Sequence, residues 1–284
     1  MPAPEVTPTA NEPIAEGAPC FIDLATSNMA ETQAFYSSLF GWEYHEPTRT
    51  PAGAADYYAI TYKGADVGAV FSREAAAGPA DHWTTYFSTS DMQSTFARIE
   101  AAGGRRISGP APMPGMGIGG SAIDPTGAAF GLWQAAGFTG YDRRRAFDTP
   151  GWHELLTRDF QGAQRFYEQA LGWNFKTLDG TVEQSGFGYA MAYFPPAGVL
   201  LGVLEAKNIL PDDVPDHWTP YFYVTDVDAK AAKATSLGGT VLRLEDVVGD
   251  AEGRLTRRAL IADVTGASFS ILKPNPQEWT PITL

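Results

Sequence analysis

The sequence predicts an α+β protein made of two tandem domains, each formed by two βαβββ modules. Three observations predict this class: a long segment that occurs twice, strand-like and helical stretches that follow the same order in each copy, and glycine-containing turns between strands. The clearest repeat is PCFIDLATSNMAETQAFYSSLFGW at residues 19–42, which returns as PGWHELLTRDFQGAQRFYEQALGW at residues 150–173. Each copy opens a domain-sized unit, which indicates a tandem duplication and not a solenoid.

Two further repeats define the extent of the duplication. Residues 81–87, DHWTTYF, return as DHWTPYF at 216–222, and residues 124–130, DPTGAAF, return as DVTGASF at 263–269. Between the copies, residues 138–149 (FTGYDRRRAFDT) lack the regular spacing of apolar residues that is typical of strands and helices. We therefore expect a disordered tail at 1–17, domain 1 at 18–137, a linker at 138–149, domain 2 at 150–275 and a C-terminal tail at 276–284.

The first module begins with a strand at Cys20–Thr26, where residue types alternate. Asn28 can cap a helix at Met29–Leu39, because its side chain accepts hydrogen bonds from free backbone N–H groups, and Gly41 is suited to end that helix. Three strands follow, joined by glycine-containing turns: Trp42–His45, Tyr57–Tyr62 and Val67–Phe71.

The second module repeats this order. A strand at Trp83–Thr89 precedes a helix at Met92–Ala102, which Gly103 and Gly104 close. The remaining strands are predicted at Ile107–Ala111, Ser121–Ile123 and Ala129–Gln134. Domain 2 repeats both modules between Trp152 and Lys273. The chain is therefore expected to contain four βαβββ modules.

Composition and charge exclude several classes of protein. The net charge of −13 disfavours binding to a nucleic-acid backbone, which needs clustered Lys and Arg. No apolar run approaches the roughly 20 residues of a membrane helix, and residues 1–17 lack the features of a signal peptide. Cys20 is the single cysteine, so no disulfide forms within the chain, which fits a reducing compartment. We expect a cytoplasmic protein that binds neither nucleic acid nor membranes.

Several motifs occur in both domains and in the same order. They are FY…GW at 35–42 and 166–173, GG at 103–104 and 238–239, and Asp-x-Thr-Gly at 124–127 and 263–266. Together they resemble the vicinal oxygen chelate superfamily, which includes glyoxalases, bleomycin resistance proteins and extradiol dioxygenases. The HWTxYF segments and the Pro-Asn-Pro ending resemble an actinobacterial two-domain subgroup. The resemblance implies curved, half-barrel mixed sheets with helices on the convex side and a binding site on the concave face.

Metal-dependent members of this superfamily hold their metal with side chains from the first and last strands of the modules. When the resemblance is carried onto this sequence, none of those positions holds His, Asp or Glu. The positions are Phe21, Thr84, Gly131 and the pair Gly68–Ala69 in domain 1, and Trp152, Thr219, Ser270 and the pair Gly202–Val203 in domain 2. A divalent site of this type needs three or four nitrogen or oxygen ligands. The resemblance therefore implies that the metal site is lost in both domains, and we expect no cofactor.

Candidate ligand-binding residues follow from the concave-face positions that the resemblance implies, to which strand alternation adds neighbours, because residues two apart share a face of a sheet. The candidates are Phe21, Asp23, Thr84, Tyr86 and Trp133 in domain 1, Trp152, Glu154, Thr219 and Tyr221 in domain 2, and Trp42 and Trp173 after the helix-ending glycines. Aromatic walls with a few polar groups are typical of pockets for planar organic ligands. A buried carboxylate also favours a cationic or amino-bearing ligand.

Each of these candidates has a structural alternative. Trp42 and Trp173 fit a core or rim position as well as a cavity. Asp23 and Glu154 fit structural hydrogen bonding as well as ligand contact, since a carboxylate in the middle of an apolar strand needs a partner. Gly115–Gly120 matches GxGxxG without the strand-to-helix context of a dinucleotide site, so we interpret it as a flexible lip beside the cavity.

Three functional hypotheses remain open at this point. The leading one is metal-independent binding of an aromatic or polycyclic small molecule (a natural product or antibiotic) for sequestration and resistance or for presentation to a biosynthetic enzyme. The alternative is a glyoxalase-type metal-dependent lyase or isomerase, or a dioxygenase, with ligands moved to Asp23, Glu154, His82 or His217. The third is general-base catalysis by Asp23 or Glu154 without a metal. The catalytic residues, and the choice between monomer and homodimer, stay undetermined.

Overall fold

Two curved, eight-stranded sheets form the protein within the described residues. The computed structural model describes residues 14–46, 57–73, 80–142, 145–177, 187–195, 198–248 and 255–274. Domain 1 contains, in chain order, β1 (Pro19–Thr26), α1 (Met29–Phe40), β2 (Glu43–His45), β3 (Tyr57–Tyr62), β4 (Ala65–Ser72), β5 (His82–Ser88), α2 (Met92–Ala101), β6 (Arg105–Met113), β7 (Gly117–Ile123) and β8 (Ala129–Ala135).

Domain 2 repeats this order with β9 (Pro150–Thr157), α3 (Phe160–Leu171), β10 (Asn174–Thr177), β11 (Tyr189–Phe194), β12 (Gly198–Glu205), β13 (His217–Tyr223), α4 (Val227–Ser236), β14 (Thr240–Val248), β15 (Leu255–Ala262) and β16 (Ser268–Leu272). The strand orders are β2-β3-β4-β1-β5-β8-β7-β6 and β10-β11-β12-β9-β13-β16-β15-β14. Both sheets are mixed, because the first strand of each domain is parallel to one neighbour and antiparallel to the other. The predicted fold class and the four βαβββ modules are confirmed.

The helix ends follow the local sequence. The Asn28 side chain accepts a hydrogen bond from the Glu31 backbone N–H at 3.3 Å, and Gly41 ends α1 at a φ of 78°. In domain 2, Asp159 accepts from Gly162 N–H at 2.9 Å, and Gly172 ends α3 at a φ of 71°. Such left-handed backbone is favourable mainly for glycine, which explains why both copies carry one there. None of the helices in the described ranges is long and apolar enough to cross a membrane.

The expectation of a flexible lip at Gly115–Gly120 is wrong for most of that segment, because β7 begins at Gly117. Gly119 pairs with Trp133 of β8 in a regular antiparallel ladder. A Cβ atom on Gly117 would lie 2.6 Å from Cζ2 of the Trp133 ring. The glycines therefore allow the indole to lie close to the strand.

Residues 14–17 contact both domains, although the sequence places them in the tail. The Gly17 N–H donates to Ser88 O at 2.8 Å, and the Trp173 indole donates to Gly17 O at 2.8 Å. Ordered structure therefore begins before the predicted boundary at residue 18. The other tail residues, 1–13 and 276–284, and two linker residues, Arg143 and Arg144, lie outside the described residues.

Helices α1 and α3 lie between the two domains. Phe40 of α1 packs on Phe222 of domain 2, with ring centroids 5.2 Å apart, and Phe35 packs on Phe269 at 6.4 Å. Tyr167 of α3 packs in the same way on domain 1. Each domain thus contributes a helix to the core of the other, and the concave face of each sheet lies opposite this shared core.

Two equivalent hydrogen-bond chains cross the domain interface. The Trp83 indole donates to Tyr36 Oη at 3.0 Å, and the Tyr36 hydroxyl donates to Asp263 Oδ2 in the other domain at 3.0 Å. The second chain links Trp218, Tyr167 and Asp124 through bonds of 2.9 and 3.1 Å. The repeated FY, HWT and Asp-x-Thr-Gly motifs therefore hold the two domains together.

Replacing Tyr36 with Phe should lower the free energy of unfolding by about 1–3 kcal/mol, because Trp83 Nε1 and Asp263 Oδ2 both lose a buried partner. Tyr167→Phe should have a similar effect through Trp218 and Asp124. Urea unfolding followed by tryptophan fluorescence measures both. Tyr62→Phe, at a half-buried position outside this interface, should change stability by less than about 0.5 kcal/mol. A loss no larger than that of this control would contradict the interface role.

Candidate ligand-binding site

The strand register places five predicted site residues of domain 1 on one face. Across β1 and β5, Phe21 pairs with Tyr86 and Asp23 with Thr84. Across β5 and β8, Ser88 pairs with Trp133, and Ser88 lies two residues from Tyr86 on the same face. This is the concave face, because the intervening residues Trp83, Thr85 and Phe87 point into the shared core. The sequence prediction of which side chains share this face agrees with the register.

The concave face of domain 1 is accessible along β5. Its residues alternate between half-buried and buried, with Thr84 and Tyr86 half-buried and Trp83 and Phe87 buried. The equivalent strand β13 is buried from Trp218 to Tyr223. The two concave faces therefore differ although their sequences repeat.

Aromatic rings line the domain 1 face. Phe21 contacts Tyr86 with ring centroids 6.1 Å apart, and it meets Phe138 edge to face at 5.3 Å. Phe138 in turn meets Trp133 at 6.0 Å, and its carbonyl accepts a hydrogen bond from the Trp133 indole at 2.7 Å. This bond and the glycines of β7 fix the orientation of the indole. The result is a preformed aromatic wall of the kind that binds planar compounds.

Asp23 lies at the base of this wall and is only 5% exposed. Its Oδ2 accepts a hydrogen bond from the Tyr86 hydroxyl at 2.7 Å. Its Oδ1 is buried and has no hydrogen-bond partner among the described residues. Burial raises the pKa of the Asp23 carboxyl from 3.8 to about 7, and the hydroxyls of Tyr86 and Thr84 oppose this only in part. Near neutral pH the carboxyl can therefore accept or donate a proton.

Glu154 occupies the equivalent position in domain 2, but its carboxylate is fully bonded. The Tyr189 hydroxyl donates to Oε1 at 2.8 Å, and the Tyr221 hydroxyl donates to Oε2 at 2.6 Å. The Arg258 guanidinium lies 3.4 Å from Oε2 and donates to Tyr221 Oη at 3.1 Å. Arg258 also forms an ion pair with Glu245 at 2.8 Å. This network closes the concave face of domain 2.

The register identifies the domain 1 equivalent of Arg258 as Gly119. Arg258 pairs with Leu272, two residues after Ser270, and Ser270 pairs with Tyr221. Gly119 pairs with Trp133, two residues after Gly131, and Gly131 pairs with Tyr86. A guanidinium in one domain is therefore replaced by a residue without a side chain in the other.

The remaining predicted site residues lie in different environments. Trp152 is half-buried on the Glu154 face, while Thr219 is 2% exposed and its Oγ1 has no partner among the described residues. Trp42 and Trp173 lie in the shared core and not on a concave face, where they stack on Tyr36 and Tyr167 at 5.3 and 4.5 Å. The indole of Trp42 also donates to Asp148 O at 2.8 Å. The core alternative is therefore the correct description of these two tryptophans.

The donor set at the superfamily metal positions does not suit a divalent cation. In domain 1 those positions offer one threonine hydroxyl beside Phe21 and Gly131. Within the described ranges no three side chains of His, Cys, Asp and Glu come together as a metal-binding group. The displaced candidates His82 and His217 each lie with Nδ1 2.8 Å from a nearby backbone oxygen, of Ala80 and Pro215. We assign no step of the function to a metal.

Family models match both domains. The model described as Glyoxalase/Bleomycin resistance protein/Dioxygenase superfamily matches residues 20–132. The model described as Glyoxalase-like domain matches residues 153–272. The two matches correspond to the two sheets.

Two relatives are similar over nearly the whole chain. The putative glyoxylase CFP32 of Mycobacterium tuberculosis is 34% identical over 268 residues, which covers 93% of this chain and 97% of the relative. The anthracycline biosynthesis protein DnrV of Streptomyces peucetius is 32% identical over 277 residues, which covers 91% of this chain and 94% of the relative. The two-domain arrangement is therefore shared with both proteins.

Solved structures with the same fold include metal enzymes. The 2,3-dioxygenase LapB from Pseudomonas sp. KL28 superposes with a TM-score of 0.59 at 13% identity, over 94% of this chain and 97% of LapB. The Mn(II)-bound glyoxalase from Novosphingobium aromaticivorans superposes with a TM-score of 0.58 at 14% identity, over 92% of this chain and 83% of the glyoxalase. At these identities the likeness concerns the fold alone.

Proposed function

Since the chain belongs to the glyoxalase/bleomycin resistance protein/dioxygenase superfamily, we propose that it binds a planar aromatic small molecule on the concave face of domain 1. The observation that carries the proposal is a buried, unpartnered carboxylate oxygen of Asp23 beside an aromatic wall in which Tyr86 is half-buried and Phe21 and Trp133 are buried. A buried polar atom without a partner is unfavourable in the free protein, and a ligand that bonds to it removes that penalty.

The ligand class follows from the shape and chemistry of the wall. The half-buried ring of Tyr86, with the buried rings of Phe21 and Trp133 behind it, favours contact with a flat ring system and supports a polycyclic natural product. The relative DnrV is named an anthracycline biosynthesis protein, and anthracyclines are compounds of this class. Binding would serve either to sequester the compound or to present it to a biosynthetic enzyme.

The second domain acts as a scaffold in this proposal. Its concave face is closed by the bonds among Glu154, Tyr189, Tyr221 and Arg258, so an incoming ligand would have to break buried bonds. Its helix α3 completes the core beneath β5 and β8, the strands that hold Tyr86 and Trp133. One binding site per chain is therefore expected.

A metal-free acid–base reaction on the bound compound is the second candidate function. A group is most effective as a general acid or base when its pKa lies near the working pH, and burial raises the pKa of Asp23 to about 7. Conversion of a bound polycyclic compound by the metal-stripped protein, lost in Asp23→Asn, would establish turnover. A glyoxalase reaction on the methylglyoxal–glutathione adduct would instead require a metal and would contradict both candidates.

Calorimetric titration with a panel of planar antibiotics, including an anthracycline, should show one site per chain with a dissociation constant below about 100 μM. Trp133→Leu, which copies the residue that domain 2 carries at this position, should weaken binding by roughly 3- to 10-fold through loss of ring contacts. Trp152→Leu on the domain 2 face is the matched control and should leave the affinity unchanged. A larger loss from Trp152→Leu would place the site in domain 2.

A further inference from the structure

The duplication allows two equivalent carboxyl groups to be compared: Glu154, whose two oxygens both accept hydrogen bonds, and Asp23, whose Oδ1 has no partner among the described residues. Asp23 pairs with Ala69 and Thr84 on its neighbouring strands, and Glu154 pairs with Gly202 and Thr219 at the same positions. Both carboxyls accept a hydrogen bond from the equivalent tyrosine, Tyr86 or Tyr221. The two sites therefore share a framework and differ in what completes it.

A cation completes the site in domain 2. The Arg258 guanidinium faces Glu154 Oε2 and the Tyr221 hydroxyl, and it is itself mostly buried, at 17% side-chain exposure. In domain 1 the equivalent residue is Gly119, and no positively charged side chain of the described residues forms an ion pair with Asp23. Gly119 supplies no side chain at this position, and the neighbours of its Cβ position are uncharged: Met113 Cε at 3.4 Å and Trp133 Cζ3 at 3.7 Å.

We propose that the ligand of domain 1 carries its own cationic hydrogen-bond donor, an ammonium or amidinium group attached to an aromatic ring system, which bonds to Asp23 Oδ1 as Arg258 bonds to Glu154. The inference rests on the proposed function and specifies its substrate class. The rings of the ligand pack against the aromatic wall, and the unpartnered oxygen of Asp23 accepts a hydrogen bond from the charged donor. Hydrogen bonds between charged groups are shorter and stronger than neutral ones, which makes this contact the main source of selectivity.

The other titratable groups near Asp23 do not supply the missing charge. Tyr86 on β5 and Tyr57 on β3 are phenols, and burial followed by the negative charge of Asp23 raises the pKa of each above its ordinary value. Cys20 on β1 is buried, and its thiol lies 3.4 Å from Tyr86 O. Affinity for a cationic ligand should therefore increase as Asp23 ionises, rising with pH up to about 7 and levelling off above it.

A matched pair of fluorescent probes tests the inference: 9-(aminomethyl)anthracene, which is cationic at neutral pH, and 9-anthracenemethanol, which has the same rings and no charge. The protein is titrated into each probe at pH 8, and binding is followed by anthracene anisotropy. Wild type should prefer the amine by about 10-fold or more, as expected for a hydrogen bond to a charged group. Asp23→Asn should bind the alcohol as before and lose the preference for the amine.

The variants separate failure of this inference from failure of the proposed function. Equal affinities of wild type for the two probes, or an unchanged preference in Asp23→Asn, would overturn the cationic ligand while leaving aromatic binding in place. No binding of either probe would overturn aromatic binding itself, and the inference with it. Glu154→Gln is the matched control in domain 2, and a loss of preference there in place of Asp23→Asn would overturn the assignment to domain 1. Thermal unfolding confirms that each variant is folded.

Discussion

Replacing Glu154 with Gln should lower the free energy of unfolding by about 3 kcal/mol. The change removes the negative charge that faces Arg258 and leaves one of the two tyrosine hydroxyls without an acceptor, because an amide offers a single oxygen. Removing one member of a buried ion pair typically costs about 3–5 kcal/mol. We expect the lower end because Arg258 keeps its ion pair with Glu245 at 2.8 Å.

Urea unfolding at pH 7 measures this loss, and Glu245→Gln is the control. Glu245 bonds to the same guanidinium, but its side chain is 32% exposed, against 5% for Glu154. A partly exposed ion pair contributes less than about 1 kcal/mol. Equal losses in the two variants would mean that the buried network around Glu154 adds nothing beyond an ordinary surface pair.

Asp23→Asn should have the opposite sign and raise the free energy of unfolding at pH 8 by about 2–4 kcal/mol. Burial raises the pKa of the folded-state carboxyl from 3.8 to about 7, so folding disfavours the ionised form. The folded state binds more protons than the unfolded state between these pKa values, and the stability of wild type therefore falls as pH rises from about 4 to about 7. At about 1.4 kcal/mol per pKa unit, the full penalty is on the order of 4 kcal/mol.

The pH dependence of the difference between variant and wild type checks this prediction. The stabilisation by Asp23→Asn should be largest at pH 8 and shrink steadily toward pH 5, when measured by urea unfolding in matched buffers. Glu43→Gln, at an exposed position of β2, should follow the wild-type profile within about 0.5 kcal/mol. A destabilised Asp23→Asn variant at pH 8 would show that the Asp23 carboxylate has partners that compensate its burial.

The opposite signs separate a structural carboxylate from a functional one. We expect Glu154 to stabilise the fold, because each of its two carboxylate oxygens accepts at least one hydrogen bond. We expect Asp23 to destabilise the fold at neutral pH, because its carboxyl is buried and Oδ1 has no donor among the described residues, and functional sites commonly carry such unfavourable groups. The sequence does not distinguish the two carboxylates, since both lie mid-strand at equivalent positions of a repeat.

Much of the fold could be predicted from local patterns. The helix limits followed from Asn28, Gly41 and their copies, because caps depend on residues within one turn. The face shared by Phe21, Asp23 and Tyr86 followed from the superfamily positions of Phe21 and Thr84 together with strand alternation. The strand that begins at Gly117 could not be predicted, because its glycines accommodate the ring of Trp133, a contact between strands that short-range sequence does not reveal.

The asymmetry of the site could not be predicted in this way. Arg258 and Gly119 become equivalent only once the ladders of β15 with β16 and of β7 with β8 are known. The places of Tyr189 and Phe138 likewise depend on tertiary contacts: Tyr189 on the pairing of β11 with β12, and Phe138 on its contacts with Trp133. The positions of Trp42 and Trp173 in the shared core could not be predicted either. They depend on how α1 and α3 pack between the two domains, and this packing is set by contacts between the two copies of the repeat.

Because each domain contributes a helix to the core of the other, the two domains pack together as the subunits of a dimer would. Unlike the subunits of a homodimer, however, the two domains are encoded by separate parts of one gene. In a dimer of identical chains, a mutation that places arginine at one concave face places it at both, and binding is lost everywhere. In the joined chain, Arg258 could arise in one half while Gly119 stayed in the other. Under the proposed function, covalent linkage lets one half carry the binding site while the other half serves as its support.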